Sequence, residues 1–180
     1  MLKVLVSGCL AGRPIRFNET SVPVCSPIWE KWAAEGRLVH FCPELAVGFP
    51  VPRPAAEIVG GTAAGVLDGA AHVREVDGRD VTDLFRLAAR RALHRAVEAN
   101  VALAVLVDGS PTCGSSTVYD GSFAGRTVPG RGVAAEELQR HGIPVFHEGQ
   151  LEQAASLLEE LERNDLVAPD LPLAERLPRP

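Results

Sequence analysis

Apolar residues in this chain fall into short runs separated by glycine- and proline-rich stretches. The runs at 2–6, 38–41 and 101–107 are rich in Val and Leu and stop abruptly at turn or polar residues, the pattern of strands, and the unbroken run at 101–107 is that of a buried one. Between them the apolar spacing changes to three and four. Ser26 before Pro27 is a helix start and Gly36 a stop, which predicts a helix to about Glu35 with Trp29 and Trp32 on its core face. Thr82 can cap a helix to about Ala99, whose Phe85, Ala88, Ala89, Ala92, Ala96 and Val97 oppose a row of arginines. A helix at 134–140, a strand at 143–146 and a helix at 151–161 complete the alternation. The pattern predicts a single three-layer α/β domain over 1–165, with a mostly parallel, Rossmann-like or flavodoxin-like sheet, and a Pro-rich tail at 166–180.

The intervening segments carry their own expectations. Residues 11–24 read as a long functional loop offering Arg13 and Arg16 to an anionic or carbonyl-bearing ligand. Residues 48–61 are too rich in Pro and Gly for a regular element, and Arg53 and Glu57 within them are candidates for an ion pair or a ligand contact. Residues 66–76 alternate enough for one or two edge strands before an Asp77-Gly78 turn, with His72 an ordinary strand residue. The glycine-punctuated segments 119–125 and 129–132 suit a lid. Arg16, Arg53 and, in that second loop, Asp120 are the candidates for binding substrate.

At 180 residues the chain can bury a core without staples, so a metal here would be functional. With 46% apolar residues and a net charge of -5, nothing favours nucleic acid or an anionic membrane as partner, and no apolar run approaches the ~20 residues of a span. The four cysteines are too few and scattered for a disulfide framework and suit a reducing cytoplasm. Val6-Ser7-Gly8-Cys9 is similar to a lipoprotein cleavage box, but the apolar stretch before it is well short of the roughly 7–15 residues a leader needs, and it is read as a strand.

Cys9, Cys42 and Cys113 each fall at the C-terminal end of a predicted strand, whereas Cys25 precedes a helix and is the spare. No local CxxC pairing links them. If the three strands are neighbours about 4.8 Å apart, their ends converge on one crevice, where three soft ligands leave an open position on a metal. Zinc with three thiolates and an iron-sulfur cluster bound by three cysteines both satisfy that arrangement. Glu44, two residues after Cys42, is the general acid/base candidate. A phosphatase-like use of Cys113 lacks an arginine-closed anion cradle, since the next arginine is Arg126.

The set Val6-Ser7-Gly8-Cys9-Leu10, Cys42-Pro43-Glu44, Pro52-Arg53-Pro54-Ala55-Ala56-Glu57-Ile58, Ser110-Pro111-Thr112-Cys113-Gly114 and Tyr119-Asp120-Gly121 resembles, in this order, the bacterial thiouracil desulfurase family. The likeness covers about residues 1–150. It implies that Cys9, Cys42 and Cys113 hold a 4Fe-4S cluster with one open iron, with zinc the alternative, and that Glu44 and Ser110 serve catalysis. It further implies non-redox desulfuration of a small thiolated nucleobase or similar thioamide, for example 2-thiouracil, by a monomer or homodimer. The alternative is a non-catalytic metal or iron-sulfur binding protein. Two features depart from the family pattern: Ile15 stands in place of a second early cysteine, which leaves a three-cysteine site intact, and Val107-Asp108-Gly109 before the Ser-Pro motif bears on substrate identity.

Overall fold

The computed structural model describes residues 1–167; the expected tail at 166–180 lies almost wholly outside them. Four strands, β1 (Lys3–Ser7), β2 (Leu38–Phe41), β5 (Val101–Leu106) and β8 (Val145–His147), form one parallel sheet in the order β2-β1-β5-β8. Strand β5 is buried along its whole length, as its unbroken apolar run requires. Helices α1 (Pro27–Ala34) and α5 (Leu151–Val167) pack together on the sheet, as do α3 (Thr82–Glu98) and α4 (Val133–Arg140), giving the three layers. Strand order reverses direction between β1 and β5, so the loops leaving these two strands part to opposite sides and open a crevice at their C-terminal ends.

Local chemistry accounts for most boundaries. Ser26 Oγ accepts from the Ile28 N–H at 3.3 Å and Pro27 opens α1, while Gly36, at φ 66°, ends the turn that follows. Trp29 and Trp32 are buried in the core. Thr82 is the first residue of α3 rather than its cap. The capping carboxyl is that of Asp80, which accepts from the Thr82 N–H at 2.9 Å and the Thr82 hydroxyl at 2.6 Å.

Two expectations for the middle of the chain are corrected. Within 48–61, Ala56–Val59 is a strand, β3, paired antiparallel with β4 (His72–Glu75). Its flanking prolines and glycines hid it, and the pairing that stabilises it is non-local. Residues 66–68, where the expected edge strands would begin, belong instead to helix α2 (Ala63–Asp68), begun by Thr62 Oγ1 accepting from the Gly65 N–H at 3.2 Å and ended by left-handed Gly69. The segment after Cys113 is also more regular than expected, a short hairpin of β6 (Thr117–Tyr119) and β7 (Thr127–Pro129).

The loop between β5 and β6 is fixed to the start of α4. The N–H groups of Gly132, Val133 and Ala134 donate to the carbonyls of Gly114, Pro111 and Thr112 at 2.8, 2.8 and 2.9 Å. The free N–H groups of a helix start thereby hold a loop that has no ladder of its own. Contact is so close that a Cβ on Gly132 would lie 2.4 Å from the Thr112 carbonyl carbon. Gly132→Ala is therefore expected to destabilise the protein by about 2 kcal/mol or more, although Gly132 has an ordinary φ of -79°. Urea unfolding checks this, and a loss below about 0.5 kcal/mol would contradict the close packing.

Candidate functional site

Register brings the three strand-end cysteines to one place. Ser7 pairs with Phe41 and Val6 with Val105, so the chain leaves β1, β2 and β5 at one level, with Cys42 next after β2 and Cys9 in the single turn that ends β1. Cys113 sits in the β5–β6 loop. All three line one cavity of about 320 Å³. Cys25 is exposed and lies outside that lining.

The thiols are also electrostatically close. Burial pushes Cys9 up to about 11, with Cys42 adding to the rise and Arg16 opposing it. Cys113 is raised well above the ordinary thiol range by burial, then by Cys42 and Cys9, against a hydrogen bond from Ser7. Cys42 is raised by burial, against the Leu45 N–H, which stabilises its thiolate. Thiolates at these three positions would repel one another, and a cationic group between them would remove that penalty. Among the described residues no three His, Cys, Asp or Glu side chains stand close enough to hold a single metal ion.

Glu44 follows Cys42 at the end of β2 and faces the same cavity. Both its carboxyl oxygens are engaged, Oε1 accepting from Thr112 Oγ1 and Oε2 from Arg53 Nε, each at 2.6 Å. Arg53 is only 5% exposed along its side chain, and its remaining nitrogens donate to the carbonyls of Ile15 at 3.2 Å and Pro50 at 3.1 Å. The partner of Arg53 is thus Glu44 and not Glu57, which instead accepts from the Phe123 N–H at 3.1 Å. Sequence reasoning placed Thr112 in the loop without a role. Its contact to Glu44 spans 68 positions and leaves no local signal.

Ser110 Oγ accepts from the N–H groups of Thr112 and Cys113, both at 3.1 Å. Its acceptor capacity is filled, and its proton remains free to donate. Ser7, also missed, accepts from the Val107 N–H at 3.1 Å and joins β1 to the end of β5. Asp108 binds the loop from within, accepting from the N–H groups of Ser115, Ser116 and Thr117 at 3.0, 3.1 and 3.2 Å and from the Ser116 and Thr117 hydroxyls. Its own N–H donates to Glu148 Oε2 at 3.0 Å.

Of the residues expected to contact substrate, Arg16 and Arg53 line the cavity. Asp120 is turned to its own loop, where it accepts from Ser122 Oγ at 2.5 Å and pairs with Arg126 at 3.1 Å. The neighbouring Tyr119, Phe123 and Gly125 form the roof of the cavity instead. This loop is docked on β3, where left-handed Gly121 comes so close that a Cβ would lie 2.5 Å from the Ile58 carbonyl oxygen.

Burial raises the Asp108 carboxyl, but the bonds from Ser116, Thr117 and Ser115 together outweigh it and hold it well below the usual carboxylate range. A depressed native pKa contributes stability above the unfolded value near 4, and that contribution fades as pH falls toward the native value. Asp108→Ala is expected to cost about 1–3 kcal/mol at pH 7, with the gap to wild type shrinking steadily below pH ~4. Urea titrations at pH 7 and 3 measure it. An equal gap at both pH values would refute the assignment.

The profile of the family described as 2-thiouracil desulfurase matches residues 4–150. The chain is 40% identical over 148 residues to the uncharacterized protein YbbK of Bacillus subtilis (strain 168), covering 82% of this chain and 97% of the relative. It is also 40% identical, with a TM-score of 0.80, to a solved structure described as a 4Fe-4S-dependent thiouracil desulfidase, TudS, covering 88% of this chain and 99% of that one.

Proposed function

From the premise that the chain belongs to the 2-thiouracil desulfurase family, we propose that it is a desulfidase converting a thiolated nucleobase or similar cyclic thioamide, with water, into the oxo compound and hydrogen sulfide. Sulfur leaves at the oxidation state in which it entered, so no electron donor is consumed. The observation that carries the reading is the shared cavity, lined at once by Cys9, Cys42, Cys113, Glu44 and Ser110.

The donor set fits a 4Fe-4S cluster. Three thiols that line one cavity, with Cys9 and Cys113 buried and both pushed up by Cys42, are soft donors suited to iron. Cys9, Cys42 and Cys113 would hold it, and the chemistry it supplies when bound is that of an uncapped iron, a soft Lewis acid suited to sulfur. The four free cysteines also support a reducing, cytoplasmic setting. Among the described residues no helix is long and apolar enough to cross a membrane.

The chain's own residues supply the proton transfers. Glu44 Oε1 and Oε2 each keep a lone pair beyond their bonds to Thr112 and Arg53, so Glu44 takes a proton from the water that adds to the thioamide carbon and returns it to the departing sulfur. Ser110, with its acceptor capacity filled, donates to charge that develops on the reacting group. Arg53 and Thr112 hold the Glu44 carboxyl in place, and the apolar walls keep bulk water away.

Sulfide release from 2-thiouracil by anaerobically prepared protein, with no reductant or oxidant added, tests this reading. Glu44→Gln is expected to lose about 100-fold or more in kcat with its iron content unchanged, and Thr112→Val, which only loosens Glu44, about 10-fold. Turnover that requires a stoichiometric electron donor would overturn the non-redox reaction. Full activity in Glu44→Gln would overturn the role of Glu44, and no sulfide from the loaded wild type would favour a binding protein without catalysis.

A further inference from the structure

Resting on the desulfidase reading, we infer that Glu75 is the residue that selects the substrate, accepting a ring N–H beside the thiocarbonyl. Glu75 ends β4 on its inward side, alternating with exposed Arg74 and buried Val73, and is only 2% exposed. It lines the same cavity as the three cysteines, Glu44 and Ser110. The other carboxyls lining this cavity are engaged, Glu44 by Arg53 and Thr112 and Glu57 by the Phe123 N–H. The Glu75 carboxyl has no hydrogen bond among the described residues. Its nearest cation, Arg79 Nη1, stands 3.7 Å from Oε2 on a side chain that is 65% exposed.

A carboxyl that faces a narrow cavity with only a long ion pair to Arg79 at 3.7 Å keeps its lone pairs open to a donor that a ligand brings. Phe49 and Phe85, in edge contact with centroids 5.7 Å apart, line the same cavity, together with Phe41 and Val76. The complement to such a wall is a flat, largely apolar ring with an N–H in its plane. Cyclic thioamides and thioureas carry that N–H directly beside the carbon that bears sulfur. Thioesters, thioethers and thiophosphates do not. Glu75 therefore confines the substrate class to N–H-bearing thiolated heterocycles, and it does so by binding rather than by proton transfer.

The test compares kcat and KM for 2-thiouracil and its 1-methyl and 3-methyl derivatives on wild type, Glu75→Gln, Glu75→Ala and Arg79→Ala. Binding of the product, uracil, is measured on the same proteins by calorimetry. Wild type is expected to reject at least one N-methyl derivative. Glu75→Ala should lose about 30-fold in kcat/KM for 2-thiouracil, mainly in KM, weaken uracil binding about 10-fold, and turn over the rejected derivative as well as the parent. Glu75→Gln, which keeps an acceptor oxygen, should fall between, and Arg79→Ala should stay within about twofold of wild type. Unchanged kcat/KM and selectivity in Glu75→Ala, or an equal loss in Arg79→Ala, would overturn the inference and leave the desulfidase reading intact. Should neither Glu75 variant fold, wild type turning over both N-methyl derivatives as well as the parent would overturn it. A loaded wild type that releases no sulfide from any of the three compounds strikes the desulfidase reading itself, and this inference with it.

Discussion

Two hydrogen bonds to one carboxyl tie the site together. Thr112 Oγ1 and Arg53 Nε each donate to Glu44 at 2.6 Å, so the end of β2, the loop after β5 and the segment leading into β3 share a single fastening point. Arg53 extends it to the first loop through the Ile15 carbonyl. Three loops that leave a parallel sheet at different strands have no ladder to hold them to one another. A doubly bonded carboxyl does that here, and the residue so held is the one suited to moving protons. Rigidity and chemistry reside in the same group, which explains why its partners are buried and neutral or cationic.

The rest of the cavity wall follows from where the sheet reverses. With the order β2-β1-β5-β8, the crevice must open beside β1 and β5, and Cys9 and Cys113 lie in the turns that leave those strands. Burial makes the thiols reluctant to ionise, and their proximity adds to that reluctance. Such a site is unfavourable for bare thiolates and favourable for a cationic group among them. The loop that carries Cys113 is held independently of that group by Asp108 from inside and by the first N–H groups of α4 from outside.

Much of this was legible in the chain because the decisive signals are local. Short runs rich in Val and Leu located three of the four strands of the parallel sheet, β1, β2 and β5, and Ser26-Pro27 located a helix start to the residue. What stayed hidden depends on partners far away in sequence. Strand β3 lies between prolines and glycines and exists through its pairing with β4. Helix α2 is six residues long, too short for its spacing to outweigh an alternating pattern. Arg53 and Glu57 sit close enough in the chain to suggest a pair, yet the strand that begins between them carries them to different partners. Thr112 stands inside the Ser110–Gly114 motif with no role assigned to it and Glu75 stands in no motif, and the significance of both arises from what they face.

The central claim is that Cys9, Cys42 and Cys113, without Cys25, hold one iron-sulfur cluster in the shared cavity. Iron and acid-labile sulfide analysis on anaerobically reconstituted wild type and on each of the four Cys→Ser variants tests it most directly. Near four irons and four sulfides per chain in wild type and Cys25→Ser, with loss in the other three, is the predicted result. Stoichiometric zinc, no metal after reconstitution, or a cluster that survives the loss of Cys113 would contradict it.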